Sequence, residues 1–416
     1  MNFDISIIDT LDALERFVPE WLEFLETQPI GATAFNDPRY IIAQWKSMIH
    51  TSDESTHMVI VIRESEKICC IAPFWKQRYV FPVEIGFKKV FSVNIHLLKC
   101  FDHSFIFRDM GEKNDAIFEH AFIILKQRFS PFDIMWLTHV RVNTPFGKYL
   151  NTHRFVAGIK VRKTFQTFIP TYRIHLGNSM EDLLATLNKK RRKNVRYNIK
   201  HYYEGQAENR FIKTTKPEQI ESLLQAIQQI DDNAWQSTAR GNTNVKTERN
   251  RLFYQELAHQ GILRCYVLER NGTPIAYRLG VQSGYYFSGL GSKYDRANYE
   301  KLYPGIICLY HVLEELFQEN TPEIVDLGAY DYGGFKAVWA NDKVDASTLF
   351  LTGSYKGTAI IQTQAFLNRM VYFGKKILGR FGVKDWVLNF FKGKLRSTKP
   401  QSKTNENEAD NNPDEK

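Results

Sequence analysis

The stretch "DLGAYDYGGFK", Asp326 to Lys336, gathers two aspartates, two tyrosines, three glycines and one lysine directly after the apolar run "EIV". An apolar run of that kind predicts a buried strand, and glycines let the chain turn sharply as it leaves the core. Asp331 is placed as a candidate base toward an amine. Lys336 is a candidate donor to a developing oxyanion or to a phosphate. A tight turn with an ordinary surface lysine accounts for the same residues.

Three further stretches carry chemistry-bearing types. "NKKRRKNVRYNIKHYY", Asn188 to Tyr203, puts Arg192, Arg196 and Lys200 on one face at helical spacing, with Leu187, Val195 and Ile199 for packing. A guanidinium offers phosphate a planar fork, so the face is either a phosphate clamp or a solvated helix surface. "YDRANYEKLYPGIICLYHVLEEL", Tyr294 to Leu316, sets Pro304 in a first helical turn. Gly305 beside it leaves the exposed N–H groups open to a phosphate or a pantetheine-type amide. A well-formed helix start is the plainer account. "DDNAWQSTARG" holds Asp231, Asp232, Trp235, Gln236 and Arg240. Paired carboxylates suit acid–base work, and they equally suit the end of a solvated helix.

Missing motifs narrow the chemistry. The sequence has no Gly-x-Ser-x-Gly elbow, no Walker loop, no His-Glu-x-x-His and no Rossmann glycine fingerprint. A nucleophilic hydrolase, an NTPase and a dehydrogenase are all disfavoured. Five cysteines in apolar runs, without Cys-x-x-Cys or neighbouring histidines, read as reduced buried thiols rather than a disulfide framework or a metal site. His139, His175 and His311 lie in patterned apolar segments and read as structural.

The elements that must position these residues follow from length and periodicity. A chain of 416 residues is expected to hold two domains. Residues 1–175 alternate helical and extended patterns. "LDALERFVPEWLEFLET" and "DPRYIIAQWKSMI" read as helices, "HMVIVIRESEKICCIAPFWKQRY" as two strands about a turn at Glu64–Lys67, and "FDIMWLTHV" as a strand. "GIKVRKTFQTFIPTYRIHL" reads as one alternating strand. Residues 176–350 repeat the order: one helix from Ser179 to Gly205, a strand, two helices, three strands with Asn271-Gly272 as a hairpin turn, a helix and a strand. Residues 363–396 form a basic amphipathic stretch, in which Phe366, Met370, Phe373, Ile377, Phe381 and Trp386 interleave with cations. That composition suits an interfacial helix on anionic lipid, or a helix packed on the preceding domain. Residues 397–416 are polar and expected to be disordered. With no signal peptide pattern and no apolar run of spanning length, a cytoplasmic location is expected, peripheral at the membrane's inner face if 363–396 binds lipid. The net charge of +9 favours an anionic partner: a nucleotide, RNA or lipid.

Taken in order, "RRKNVR", "NAWQ…ARG", "GTPIAYRLGV", "YDRANYEKLYPG" and "DLGAYDYGGFK" resemble the GNAT-like acetyltransferase domain of CelD-type (BioF-like) proteins from bacterial polysaccharide operons. They are similar, more distantly, to the Fem-type peptidyltransferases. The resemblance covers about residues 178–345. Arg192 and Arg196, Trp235, Gly272 with Ala276, Tyr294-Asp295, Pro304-Gly305, Asp326, Gly328 and Phe335-Lys336 fall on the family's pattern. Gln236 stands where the family usually has Lys, Tyr303 where Ser is common, and Phe335 where Tyr is commoner. The resemblance implies an α+β, mixed-sheet GNAT fold, with residues 1–175 as a second, degenerate GNAT-like unit. It implies acyl transfer from acyl-CoA to an amine or hydroxyl of a small-molecule or glycan-type acceptor, without a metal. Fem-type relatives use aminoacyl-tRNA instead, and a catalytically retired binding module is the third possibility. In the implied site, Lys336, Asp331 and Asp326 are catalytic. Arg192, Arg196, Tyr303, Pro304, Gly305 and Phe335 hold the donor. Trp235, Tyr294, Asp295 and Tyr330 meet the acceptor.

Overall fold

The computed structural model of the chain describes residues 3–51, 55–85, 88–100, 105–163, 169–204, 207–234, 247–319, 322–329 and 335–380. In the N-terminal half the elements are β1 (Asp4–Ile8), α1 (Leu11–Glu26), α2 (Pro38–Ile49), β2 (Thr56–Glu64), β3 (Lys67–Ile85), β4 (Lys88–Cys100) and β5 (Ile106–Phe107). They continue as α3 (Asn114–Phe129), β6 (Ile134–Arg141), α4 (Pro145–Thr152), β7 (Phe155–Val156) and β8 (Ile159–Lys163). The C-terminal half follows as β9 (Ile169–His175), α5 (Met180–Thr186), α6 (Lys189–Tyr203), β10 (Asn209–Thr214), α7 (Ile220–Asn233) and α8 (Glu248–His259). Next come β11 (Leu263–Arg270), β12 (Thr273–Ser283), β13 (Tyr286–Tyr294), α9 (Arg296–Tyr299), α10 (Pro304–Glu319), β14 (Ile324–Ala329), α11 (Phe335–Trp339), β15 (Asp342–Thr352) and α12 (Tyr355–Arg380).

Local chemistry explains most boundaries. Thr10 caps α1 by accepting from the Ala13 amide, and Leu14, Phe17, Trp21 and Phe24 bury one face at helical spacing. Asp37 caps α2 ahead of Pro38. Asn271 and Gly272 take positive φ angles of 51° and 72°, the geometry that lets a two-residue turn join β11 to β12. Two expectations need correction. The single helix expected from Ser179 to Gly205 is two helices, α5 and α6. Leu187 is extended between them, and the Asn188 side chain accepts from the Arg191 amide, restarting the helix as a cap. The single strand expected across 158–176 is likewise two strands, β8 and β9.

All fifteen described strands join one sheet, whose main path runs β1-β2-β3-β4-β6-β15-β9-β14-β13-β12-β11-β10. The path is nearly a palindrome. Each half is an antiparallel meander of four strands whose last member pairs in parallel with a later strand, β4 with β6 and β13 with β14. The halves exchange strands at the centre: β9 completes the β14 edge, and β15 returns to pair with β6 and β8. On one face, α1, α2, α7 and α8 cover a core that includes Val59, Ile71, Val267, Leu279 and Val281. On the other, α3 and α4 cover the N-terminal half, and α5 and α10 the C-terminal half.

Residues 1–365 form one compact unit, and the described turns of α12 from Phe366 onward belong to a second. Within the second, the described turns of α12 expose Phe366, Met370, Tyr372 and Phe373. Residues 381–396 of the expected basic segment and the expected tail lie outside the described residues. Among the described residues, no helix is long and apolar enough to cross a membrane, and no cluster of side chains could hold a metal ion.

Candidate active site

The parallel pair β13·β14 is brief. It holds only from Tyr286 opposite Ile324 to Ser288 opposite Asp326, while β13 continues to Tyr294 and β14 to Ala329. Beyond Ser288 the two strands therefore part. On its other edge β13 carries a bulge: Leu279 faces Gly291 and Gly280 faces Gly289, so Leu290 is the extra residue. A bulge bends its strand and re-aims backbone groups, and here it lies where the cleft opens. A Cβ on Gly291 would meet nothing within 4 Å.

Helix α10 stands at the end of β13. Tyr303 before it is left-handed, at φ 52°, and its carbonyl accepts from the Ile306 and Ile307 amides at 2.9 and 3.3 Å. Pro304 is buried, and a Cβ on Gly305 would lie 3.3 Å from the Tyr294 ring, so glycine allows the helix start to close onto β13. Burial of Tyr294 raises its phenol pKa. Asp295 caps α9, accepting from the Asn298 amide at 3.0 Å, the Asn298 side chain at 2.8 Å and Asn233 at 3.2 Å.

On β14, Asp326 is buried and already engaged. One oxygen accepts from the Gly328 amide at 2.7 Å and the other from Arg173 Nε at 3.3 Å. Gly328, at φ 73°, turns the chain, and Lys336 Nζ reaches back from α11 to the Ala329 carbonyl at 2.6 Å. Lys336 thus lies against the parting strand rather than on an open surface. Phe335 packs, half-buried, into the core under α10. Tyr330, Asp331 and Trp235, with Gln236 and Arg240, lie outside the described residues. Arg192 and Arg196 lie on α6, where Lys189, Arg192, Lys193, Arg196, Tyr197 and Lys200 line a shallow basic groove. Arg196 also pairs with Glu181 at 2.7 Å.

Two groups need fresh placement. Asp231, read as either an acid–base carboxylate or a solvated helix-end charge, is fully buried and accepts from Tyr277 at 2.9 Å and Lys293 at 2.7 Å. Burial and the Asp231 charge push the Tyr277 phenol pKa up. Arg278 on β12 is 5% exposed, and its Nε has no hydrogen-bond partner. Burial lowers its pKa. The signal in the sequence was a lone cation inside the apolar run "PIAYRLGV", on the same strand face as Ala276 and Gly280.

Residues 189–337 match the family model of the acetyltransferase (GNAT) domain. The chain has a GNAT fold. Two solved structures resemble it over nearly their whole length. The crystal structure of FemX is 11% identical with a TM-score of 0.56, covering 88% of this chain and 100% of that one. A tandem GNAT protein from the clavulanic acid biosynthesis pathway is 11% identical with a TM-score of 0.51, covering 84% and 99%. No curated protein sequence matches the chain. The two meanders are the two GNAT-like units of the tandem arrangement, and the matched segment contains the parted pair β13·β14, the bulge, the α10 start and Lys336.

Proposed function

We propose that this chain is an acyltransferase, moving an acyl group from an acyl-CoA thioester to an amine or hydroxyl of a small molecule or a cell-envelope or polysaccharide precursor. The observation that carries this reading is the cleft between β13 and β14, which has the bulge on one wall, Lys336 beside the other and the α10 start at its open end. A slot between parted strands accepts an extended amide-bearing arm as a pseudo-strand, because each wall offers unpaired backbone groups. Gly305 at the helix start, with Tyr303 and Pro304 beside it, takes the arm's polar end. Arg192 and Arg196 supply cations for its phosphates, and Phe335 backs the slot.

Transfer proceeds by direct attack. The acceptor nitrogen or oxygen bonds to the thioester carbon, the C–S bond breaks, the acceptor loses a proton and the thiolate takes one. Lys336 stabilises the oxyanion that forms on the way. Asp331 removes the acceptor's proton. Asp326, already committed to Arg173 and Gly328, orients that turn. Trp235, Tyr294, Asp295 and Tyr330 frame the acceptor. On this reading the working unit is residues 176–350, with residues 1–175 a degenerate partner. The segment 363–396 provides contact with an anionic membrane face from the cytoplasmic side.

One observation favours a second reading, an aminoacyl-tRNA donor as in Fem-type proteins. The α6 stripe presents five cations within three turns, enough to track a nucleic-acid backbone. Titration of the full chain with acetyl-CoA and with charged and uncharged tRNA separates the two. Binding to none of them supports the non-catalytic module instead. For the acyltransferase itself the test is Lys336→Met. It is expected to lower kcat by about 100- to 1,000-fold while leaving donor affinity and melting temperature in place. Unchanged turnover removes Lys336 from the mechanism.

A further inference from the structure

Resting on the acyl-donor reading, we propose that Arg278 forms a carboxylate-binding subsite at the closed end of the β13·β14 cleft, so that the acyl group transferred carries an acid of its own.

The position is built rather than incidental. Arg278 lies on the sheet face that α10 covers, and its guanidinium reaches the last rung before the strands part. A Cβ on Gly289 would be 3.9 Å from Arg278 Nη1 and 3.5 Å from the Asp326 carbonyl oxygen. The equally buried Arg173 meets Asp326 at 3.3 Å, and the half-buried Lys293 meets Asp231 at 2.7 Å. Among the described residues, Arg278 meets no carboxylate. Its acidic neighbour is the Cys308 thiol on α10, which burial pushes up to about 12 and so keeps protonated. The positive end of the α10 dipole adds to the same field. An uncompensated guanidinium in a dry site is costly unless a ligand brings the counter-charge.

The chemistry of the counter-charge follows from the place. An extended donor lying in the slot keeps its phosphates at the open end, by the α10 start, and carries its acyl group toward the closed end. A neutral acyl chain would bury Arg278 without relieving it. A terminal carboxylate would accept two parallel N–H bonds from the planar fork and cancel the charge. Gly289 and Gly291 carry no side chain into this corner, and a Cβ on Gly291 would meet nothing within 4 Å, while the space at Gly280 is taken by the Phe287 ring.

The test is calorimetric titration of the full chain with CoA, acetyl-CoA and succinyl-CoA, for the wild type, Arg278→Met and Arg278→Lys. Succinyl-CoA is expected to bind the wild type about 100-fold more tightly than acetyl-CoA. In Arg278→Met the preference disappears while acetyl-CoA affinity persists, and Arg278→Lys restores part of it. Ligand-free Arg278→Met is expected to melt no lower than the wild type. Equal affinities in the wild type, a preference that survives in Arg278→Met, or an Arg278→Met that loses acetyl-CoA binding and melts lower would overturn the proposal. Thermal shifts in succinate, acetate and inorganic phosphate at matched ionic strength form the second arm. Succinate should stabilise the wild type and not Arg278→Met, and an equal or absent effect on both, or a larger one from phosphate, counts against the subsite. If the wild type binds no CoA compound, the acyl-donor reading fails on its own, and the succinate arm decides whether the carboxylate site stands.

Discussion

On the face covered by α3 and α4, the N-terminal half packs Phe105, Phe107, Phe118, Phe122, Phe146 and Tyr149 into one aromatic cluster. Phe105 and Phe146 stack at 4.4 Å, and Phe118 meets Phe107 edge-on at 4.9 Å. On the corresponding face of the C-terminal half, α10 covers a core of its own with Tyr266, Phe287 and Trp339, and Gly280 admits the Phe287 ring, but beside Arg278 the β13 strand carries Gly289 and Gly291. The parallel pairs differ too. β4 meets β6 near its C-terminal end, from Leu97 to Lys99, whereas β13 meets β14 only at its start, from Tyr286 to Ser288, and then runs on. One strand order therefore supports two outcomes. Both halves have a filled core under their helices, and the one in which β13 outlasts its pairing with β14 opens a cleft.

This contrast can be broken from either side. The largest expected effect lies in the N-terminal half: Phe118→Ala should cost about 4 kcal/mol of stability through the cavity it leaves. Denaturant unfolding measures it, and donor affinity at a temperature where the variant stays folded should be unchanged. Loss of donor affinity there would mean that the halves are not separable in role.

The next effect is a pH dependence placed in the N-terminal half. His57 on β2 is buried and stacked on Trp45 at 4.8 Å, and burial, with Arg249 adding to it, lowers its pKa to about 4. Its ordinary value lies near 6.5. Between these values the unfolded chain binds a proton that the folded chain does not, so stability is full above pH 6.5 and falls as pH drops toward 4. The loss is about 3 kcal/mol at most. Comparing urea midpoints at pH 7.5 and 4.5 for wild type and His57→Phe checks it, since the variant should lose that part of the acid sensitivity. A variant as acid-sensitive as the wild type assigns the effect elsewhere.

The smallest effect is in the cleft. Gly328 sits at φ 73°, and a Cβ there would lie 3.5 Å from Lys336 Nζ. Gly328→Ala should cost about 1 kcal/mol for the left-handed backbone. It should also lower turnover more than that loss explains, by shifting Lys336. An alanine variant with normal turnover would show that Lys336 tolerates the displacement.

Much of the fold could be read along the chain because it rests on local chemistry. The Thr10 and Asp37 caps, the Asn271-Gly272 turn and the apolar spacing of α1 act within a few residues. Where a local signal was missed, at Asn188, a capping side chain was hidden inside a run that otherwise looked like one helix. The site was only partly legible. Pro304-Gly305, Gly328 and Lys336 stand out by residue type, and their order along the chain carries the GNAT resemblance. Asp231 could not be told from a solvated charge, because its partners Tyr277 and Lys293 arrive from strands more than 40 residues away.

The sequence by itself determined which segments become helices and strands, where the glycines fall, and that the C-terminal half carries the motifs of an acyltransferase. Those features depend on residue type and near-neighbour spacing. The tertiary structure alone decided that β9 and β15 cross between the halves, that β13 outruns β14, and that Arg278 is buried with no counter-charge among the described residues. Each of these depends on which distant strand lies alongside, since pairing register sets the face a side chain takes and the neighbours available to neutralise it.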